Sequence, residues 1–390
     1  MTGEPGPAEG KHAPFMSRRD FLIGMTATVL LTGCSTQQST PAPTSTPAST
    51  PTAVAQSDTP DATPISTSTA VPTSVPTATA LPTISARKPK VIQIYPDKPS
   101  RVVHTHHAGV WDGDALSPTA IRQMLDASIT NLTGLNDAIE AWAALFDPGE
   151  RIAIKVNAFR NSLIWTHVPL VTAVAECLQE AGIPPEQIVV YDYYTNELLD
   201  AGYQVNQDGP GIRCYGTDSN YSKGWQVVDV GVQLSDVLLS GDALINIPVL
   251  KMHSLAGLSF ALKNHYGTIA RPQNLHHGER LDLGLAELNA LPPIRDRTRL
   301  VIGDVLTASL STRVTYPYWD SDYIGDSILM SFDPIAHDTI GLQLLCDLLA
   351  ADERNPAIAE TLATPWLENG AKLGLGTNDL DSSELIEISL

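Results

Sequence analysis

Two lysines and two histidines, Lys251, His253, Lys263 and His265, fall within fifteen residues of a chain that carries 24 Lys and Arg against 43 Asp and Glu. Ammonium groups hold anions, and an imidazole with an ordinary pKa of about 6.5 exchanges a proton near neutral pH or binds a metal. The four are expected to act on a small anionic ligand. In this reading Lys251 and Lys263 neutralise its charge, while His253 or His265 moves a proton or ligates a divalent metal. Lys155, Asn157, Asn264 and Asp192 are expected to help hold the ligand, and Asp304 to orient a histidine or join a metal. A second reading stands beside this one. Lys263 and His265 close an apolar helical run that Gly267 ends, and cations there complement the helix macrodipole with no ligand involved.

The remaining histidines form two groups. In His104-Thr-His-His107 an extended backbone puts His104 and His106 on one face, a spacing that chelates zinc or nickel. Asp112 and Asp114 follow closely and could add oxygen ligands; solvated loop histidines are the alternative. His276-His277 reads more readily as a loop pair, and His167 as a loop or packing residue. Gly-x-Ser-x-Gly, phosphate-loop and dinucleotide glycine patterns are missing, as is the His-x-x-x-His helical zinc spacing. Cys177, Cys214 and Cys346 lie far apart without a Cys-x-x-Cys pair, so this chain is not expected to bind an iron–sulfur cluster by itself. One disulfide among them is left open.

The elements that must position these residues follow from periodicity. The apolar run 151–157 predicts a buried strand, 169–181 an amphipathic helix stopped by Gly182, and 187–192 the next strand, together one parallel βαβ unit. Further strands are expected at 91–95, 211–215, 225–229, 243–249 and 300–304, and helices at 118–133, 138–145, 258–266, 280–291 and 335–349. Ser117-Pro118 and Asp333-Pro334 each combine a capping side chain with proline at the first helical position. The long connection 305–330 reads as a lid or surface excursion. The fold class is α/β: three layers, with a mixed, mostly parallel sheet between helices on both faces. Such sheets collect ligands outside the carboxyl ends of their strands. Lys155, Asn157, Asp192 and Asp304, and the Lys251–His253 turn, all fall at predicted strand ends.

Three segments divide the chain. Residues 1–33 hold Ser17-Arg18-Arg19-Asp20-Phe21-Leu22 and an apolar run over 21–31, and end in Leu31-Thr32-Gly33 directly before Cys34. That is the pattern of a twin-arginine signal with a lipobox, in which Cys34 is acylated; cleavage without lipidation is the alternative. Residues 34–90 repeat Thr-Pro, Pro-Thr and Ser-Thr, too polar to offset the entropy of ordering, and read as a disordered tether. All six Trp lie beyond Lys90, so residues 91–390 are expected to form one α/β domain. The expected location is the outer face of the cell membrane, reached by twin-arginine export and held only by the N-terminal lipid. The net charge of −19 and the absence of a basic patch argue against nucleic acid.

Ile154-Lys-Val-Asn157, Ile245-Asn-Ile-Pro-Val-Leu-Lys-Met-His253, Leu262-Lys-Asn-His-Tyr-Gly267 and Ser331-Phe-Asp-Pro-Ile-Ala-His-Asp338 together resemble the DUF362 family of uncharacterised proteins. The resemblance covers most of 91–390, including Leu373-Gly-Leu-Gly376. Members often carry twin-arginine signals or ferredoxin-type modules, but no reaction is established for them. The resemblance implies Lys155, Asn157, Lys251, His253, Lys263, Asn264, His265, Asp304 and Asp333 as site positions. The chain departs from ferredoxin-fused members in lacking a cysteine cluster, and it places His337 where many have a small apolar residue. Two functional readings follow. One is an extracytoplasmic enzyme acting on a small anion, with or without a divalent metal. The other is a non-catalytic lipoprotein that binds a ligand or docks a redox partner.

Overall fold

The computed structural model describes residues 100–159, 162–276, 279–313 and 316–390. The expected signal over 1–33, Cys34, the expected tether over 34–90, the strand expected at 91–95 and His277 lie outside the described residues.

The chain opens with β1 (Ser100–His106), a small hairpin of β2 (Trp111–Asp112) and β3 (Ala115–Leu116), and helices α1 (Pro118–Thr133) and α2 (Ala138–Leu145). Ser117 caps α1 by accepting from the Ala120 N–H, Pro118 opens it, and Gly134 closes it at φ 73°, as the sequence predicts. Next come β4 (Ile152–Lys155), α3 (Val168–Glu180), β5 (Ile188–Tyr191), α4 (Thr195–Asp200) and β6 (Arg213–Cys214). The hairpin β7 (Tyr221–Val227) and β8 (Val230–Ser235) leads through α5 (Asp236–Ser240) to β9 (Ala243–Asn246), β10 (Val249–His253) and β11 (Gly257–Ser259). The short α6 (Ala261–Asn264), α7 (Glu279–Ala290) and α8 (Pro292–Arg295) precede β12 (Thr298–Ser309) and β13 (Tyr323–Ser331). The chain ends with α9 (Pro334–Ala351), α10 (Ala357–Lys372) and β14 (Ser383–Ser389).

The main sheet runs β14-β1-β13-β12-β9-β4-β5-β6, with β10 paired to the second half of β12 and to β11. Neighbours are parallel except where β13 meets β1 and β12, and where β11 meets β10. Both faces are covered, so the central strands are apolar throughout. Successive residues go to opposite layers, because side chains alternate along a strand. Ile152 and Ile154 join the core formed with α1, α2 and α3, whereas Ala153 joins the core beneath α7, α9 and α10. The result is a mixed, mostly parallel α/β sheet between two helical layers.

Three expectations are corrected. The stretch 258–266 is not one helix. Gly257, at φ 72°, turns the chain back so that β11 pairs with β10, and α6 starts only where a carboxylate from another element caps it. The segment 305–330 is half sheet: every residue from Arg299 to Ser309 is buried in β12, and the chain returns as β13, leaving 310–322 as the connection. The expected strand 243–249 is split by Pro248, whose carbonyl accepts the Asp304 N–H at 2.8 Å. Strands β8, β13 and β14 and helix α10 had not been anticipated. Cys177, Cys214 and Cys346 are free thiols, so the disulfide left open does not form among them.

Candidate functional site

The parallel register aligns Lys155 at the end of β4 with Tyr191 on β5 and Asn246 on β9, which brings three strand ends to one rim. Lys155 is fully buried, and its Nζ donates to Asp192 Oδ1 at 2.6 Å, to the Val156 carbonyl at 2.6 Å and to Asn264 Oδ1 at 3.4 Å. Asp192 Oδ2 accepts the Ala158 N–H at 2.6 Å. Burial pushes the Lys155 ammonium below its ordinary value, against the opposing charge of Asp192. Breaking such a buried pair from one side typically costs about 3–5 kcal/mol. The 3-10 turn His265–Thr268 rests directly on the pair: a β-carbon at Gly267 would stand 2.5 Å from Asp192 Oδ1 and 2.7 Å from Lys155 Nζ.

A row of amides ties this pair to β10. Asn246 Oδ1 accepts from Asn264 Nδ2 at 2.8 Å, Asn264 Oδ1 accepts from Asn157 Nδ2 at 3.2 Å, and Asn157 Oδ1 accepts from Lys251 Nζ at 2.6 Å. Asn264 is held in place by the cap of its own helix. Asp338, on α9, accepts the N–H groups of Ala261 and Leu262 at 2.8 and 2.9 Å, which supplies two otherwise orphaned donors of α6. The last aspartate of the Ser331–Asp338 motif therefore positions Lys263 and Asn264.

A cavity of ≈ 290 Å³ opens here, with Lys155, Asn157, Asp192, Lys251, His253, Lys263 and Asn264 in its wall. Phe159, Tyr193, Tyr266 and Trp319 give it aromatic sides. Lys251 and Lys263 are 2% and 8% exposed, and among the described residues neither forms an ion pair. Lys251 Nζ lies 5.2 Å from the Trp319 ring centroid and Lys263 Nζ 4.5 Å from that of Tyr266. Burial lowers both ammonium groups to about 7; for Lys251 the pull of Asp192 opposes this, and the charges of Lys263 and Lys155 add to it. Trp319 comes from the 310–322 connection and donates its indole N–H to the Met252 carbonyl at 2.7 Å.

The histidine tautomers follow from their partners. His253 Nδ1 accepts the N–H groups of Leu255 and Ala256, both at 3.1 Å, so the ring proton sits on Nε2. Burial, reinforced by Lys263, His276 and Lys251, holds His253 well below its ordinary pKa, and it is a neutral donor at neutral pH. His276 faces the Pro272 carbonyl through Nδ1 at 3.1 Å and Lys263 Nζ through Nε2 at 3.1 Å. Its Nδ1 therefore carries the proton, and its Nε2 accepts from the lysine.

Not every expected residue reaches the cavity. His265 is 1% exposed, lies 3.3 Å from Thr268 Oγ1 through Nδ1 and is pushed down to about 3 by burial, with Lys155 adding to the effect; it packs beneath the turn outside the cavity lining. Asp304 accepts from the His167 backbone N–H and pairs with His167 Nδ1, each at 2.8 Å, outside that lining. Burial opposes a charge on His167, but Asp304 outweighs it and raises the imidazole above its ordinary value. Asp333 caps α9 and also accepts from Ser100 and the Thr377 N–H. A metal shared by His253 and His265 does not fit: His253 offers the cavity a protonated nitrogen, two ammonium groups face it, and His265 lies elsewhere. Among the described residues, the one group of three or more metal-type donors is His104, His106 and Glu387. Asp112 and Asp114, which the sequence suggested for it, belong instead to the β2–β3 hairpin region.

The sequence did not single out Asn246, Trp319 or Asp338 as site residues, and it favoured a loop reading for His276. Asn246 and Asp338 sit inside the quoted motifs, where an unexplained buried-strand amide and a second aspartate were the available signals. Trp319 gave none.

The family described as Domain of unknown function (DUF362) matches residues 152–343. This span contains the cavity lysines, His253, Asp192 and all three amides, and over it the chain is similar to that family. No curated protein matches the sequence. Among solved structures, the lactate racemase apoprotein from Thermoanaerobacterium thermosaccharolyticum is similar over 62% of this chain and 56% of its own, at 10% identity and a TM-score of 0.36. A protein from Thermotoga maritima is similar over 62% and 60%, with the same identity and TM-score. The chain thus spans less than two thirds of the length of either.

Proposed function

We propose that the cavity at the strand ends takes a small organic anion, a carboxylate or phosphate, and that the protein is an enzyme that moves a proton on it. One observation carries the reading: Lys251 and Lys263, both buried, face the same cavity and neither makes an ion pair among the described residues, while Asp192 in the same wall is paired with Lys155. Burying an uncompensated ammonium is costly, and a ligand anion supplies the missing countercharge. The volume of ≈ 290 Å³ is at the lower end of ligand pockets, which suits a small metabolite. Lysines brought to about 7 exist in both protonation states near neutral pH and suit acid–base work. Neutral His253 donates from Nε2, and the Lys155–Asp192 pair with the amide row holds Asn157 and Lys251 in place. The twin-arginine leader and lipobox of the sequence support delivery of the folded protein across the membrane, with Cys34 as the lipid anchor.

A thermal-shift screen of the full chain at about pH 6, with small carboxylates and inorganic phosphate, tests the reading. At least one anion is expected to raise the melting temperature, and Lys251→Met/Lys263→Met is expected to lose that shift. If no anion stabilises the wild type, or the double variant responds equally, the cavity is not an anion site. Binding without turnover under any condition leaves a ligand-binding lipoprotein and removes the enzymatic part.

A further inference from the structure

A second cluster lies away from the cavity, where the first described strand meets the last. In the parallel register of β1 with β14, His104 stands beside Glu387 and His106 beside Ser389, so both imidazoles and the carboxylate project from the same face. We propose that His104, His106 and Glu387 form a binding site for a divalent transition metal of the zinc type, independent of the cavity.

The first argument is distance. One donor atom from each of the three residues lies within 4.8 Å of the other two. His104 Nδ1 is 3.1 Å and His106 Nε2 3.6 Å from Glu387 Oε2. Ligands in a tetrahedral zinc shell, with bonds of about 2.0–2.2 Å, stand about 3.4 Å apart, and the two measured separations bracket that value. The imidazole centroids are 4.1 Å apart and tilted by 53°, so the rings approach without stacking flat.

The second argument is what holds the outer nitrogens. His104 Nε2 lies 3.0 Å from Ser327 Oγ and His106 Nδ1 lies 2.9 Å from Asp326 Oδ1. Both partners are on β13, which pairs with β1 on its other side. Without an ion His104 Nδ1 donates to Glu387, at 3.2 Å from Oε1; when a metal displaces that proton, Ser327 Oγ and Asp326 Oδ1 can accept from the outer nitrogens, which frees the lone pairs of His104 Nδ1 and His106 Nε2 for the ion. Carboxylate and hydroxyl partners of this kind orient metal-binding histidines and raise their basicity. Three protein ligands leave a fourth position for water, or for a ligand from another molecule. A bound ion would also clamp β14 to β1 across a strand pair that lies at the edge of the sheet.

The test uses the untagged full chain, stripped with a chelator and titrated with Zn2+ in calorimetry, with Co2+ as the spectroscopic probe. One equivalent of Co2+ is expected to give the intense visible absorption of a four-coordinate site. Glu387→Gln and His106→Gln, both at partly exposed positions, are expected to bind at least tenfold more weakly. Asp326→Asn should weaken binding by about 10–100-fold through loss of the outer partner. Lys263→Met, in the cavity, should bind as the wild type does. The proposal is overturned if the wild type takes up no stoichiometric metal, or if Glu387→Gln binds Zn2+ as tightly as the wild type. It is also overturned if Lys263→Met abolishes binding, since the ion would then belong to the cavity.

Discussion

Replacing Lys263 by methionine removes one buried ammonium while keeping most of the side-chain volume. In the folded protein Lys263 titrates at about 7, whereas an unfolded lysine titrates at about 10.4. Between those values the unfolded chain holds one proton more than the folded chain at this residue. Stability then rises with pH, because the slope of the unfolding free energy follows the excess of protons bound by the unfolded state. That excess of one corresponds to about 1.4 kcal/mol per pH unit. The contribution is fully present above the unfolded value and is lost as pH falls toward the folded one. Lys251, also brought to about 7, adds a second slope of the same sign. Lys263→Met should therefore lower the slope of stability against pH by about 1.4 kcal/mol per unit between about pH 7.5 and about 9.5. Near pH 7 the variant should be the more stable protein by several kcal/mol, on the order of three times the cost of one pKa unit, less the lost contacts to His276 and Tyr266. Urea unfolding at a series of pH values, followed by tryptophan fluorescence, reads the difference, and other titrating groups cancel between the two proteins. Parallel slopes for wild type and variant would refute the burial argument.

Two further substitutions separate architecture from chemistry. His253→Ala leaves the Leu255 and Ala256 N–H groups without their acceptor and should cost about 1–3 kcal/mol for each that stays dry. His253→Asn, whose Oδ1 can take the place of Nδ1, should keep the melting temperature close to wild type while anion affinity falls; equal losses of stability in both would contradict the assigned tautomer. Gly267→Ala forces a β-carbon into the Lys155–Asp192 pair and should destabilise the protein by about 1–3 kcal/mol, read from urea midpoints. An unchanged midpoint would mean that the turn does not rest on the pair.

The parts of the fold that were legible in the sequence are those set by local signals. The Ser117-Pro118 start and Gly134 stop bound α1 as expected, and the β4–α3–β5 unit follows from one apolar run, one amphipathic period and another run. The parts that were not legible depend on distant partners. Nothing near Lys263 announces that its helix is capped by Asp338, some seventy-five residues on. The alternation in β12 is hidden because both of its faces are buried, which made its second half look like the start of a loop. The same holds at the sites. Lys155, Asn157, Asp192, Lys251, His253, Lys263 and Asn264 converge because parallel strand ends share a rim. His265, in the turn after α6, and Asp304, on β12, lie close to the same rim but are buried outside the cavity lining, which position along the sequence does not reveal. Glu387 is 283 residues from His104, so spacing could offer only the nearer Asp112 and Asp114.

The claim that Lys251 and Lys263 form an anion site is tested most directly by the pH dependence of binding. The full chain is titrated calorimetrically with the small carboxylate that gives the largest thermal shift, a ligand whose own charge is constant across the range. If protonated lysines hold it, affinity should fall about tenfold per pH unit for each lysine required, beginning above about pH 7, and should be lost in Lys251→Met/Lys263→Met. An affinity independent of pH between about 6 and about 9, or retained in the double variant, would contradict the account.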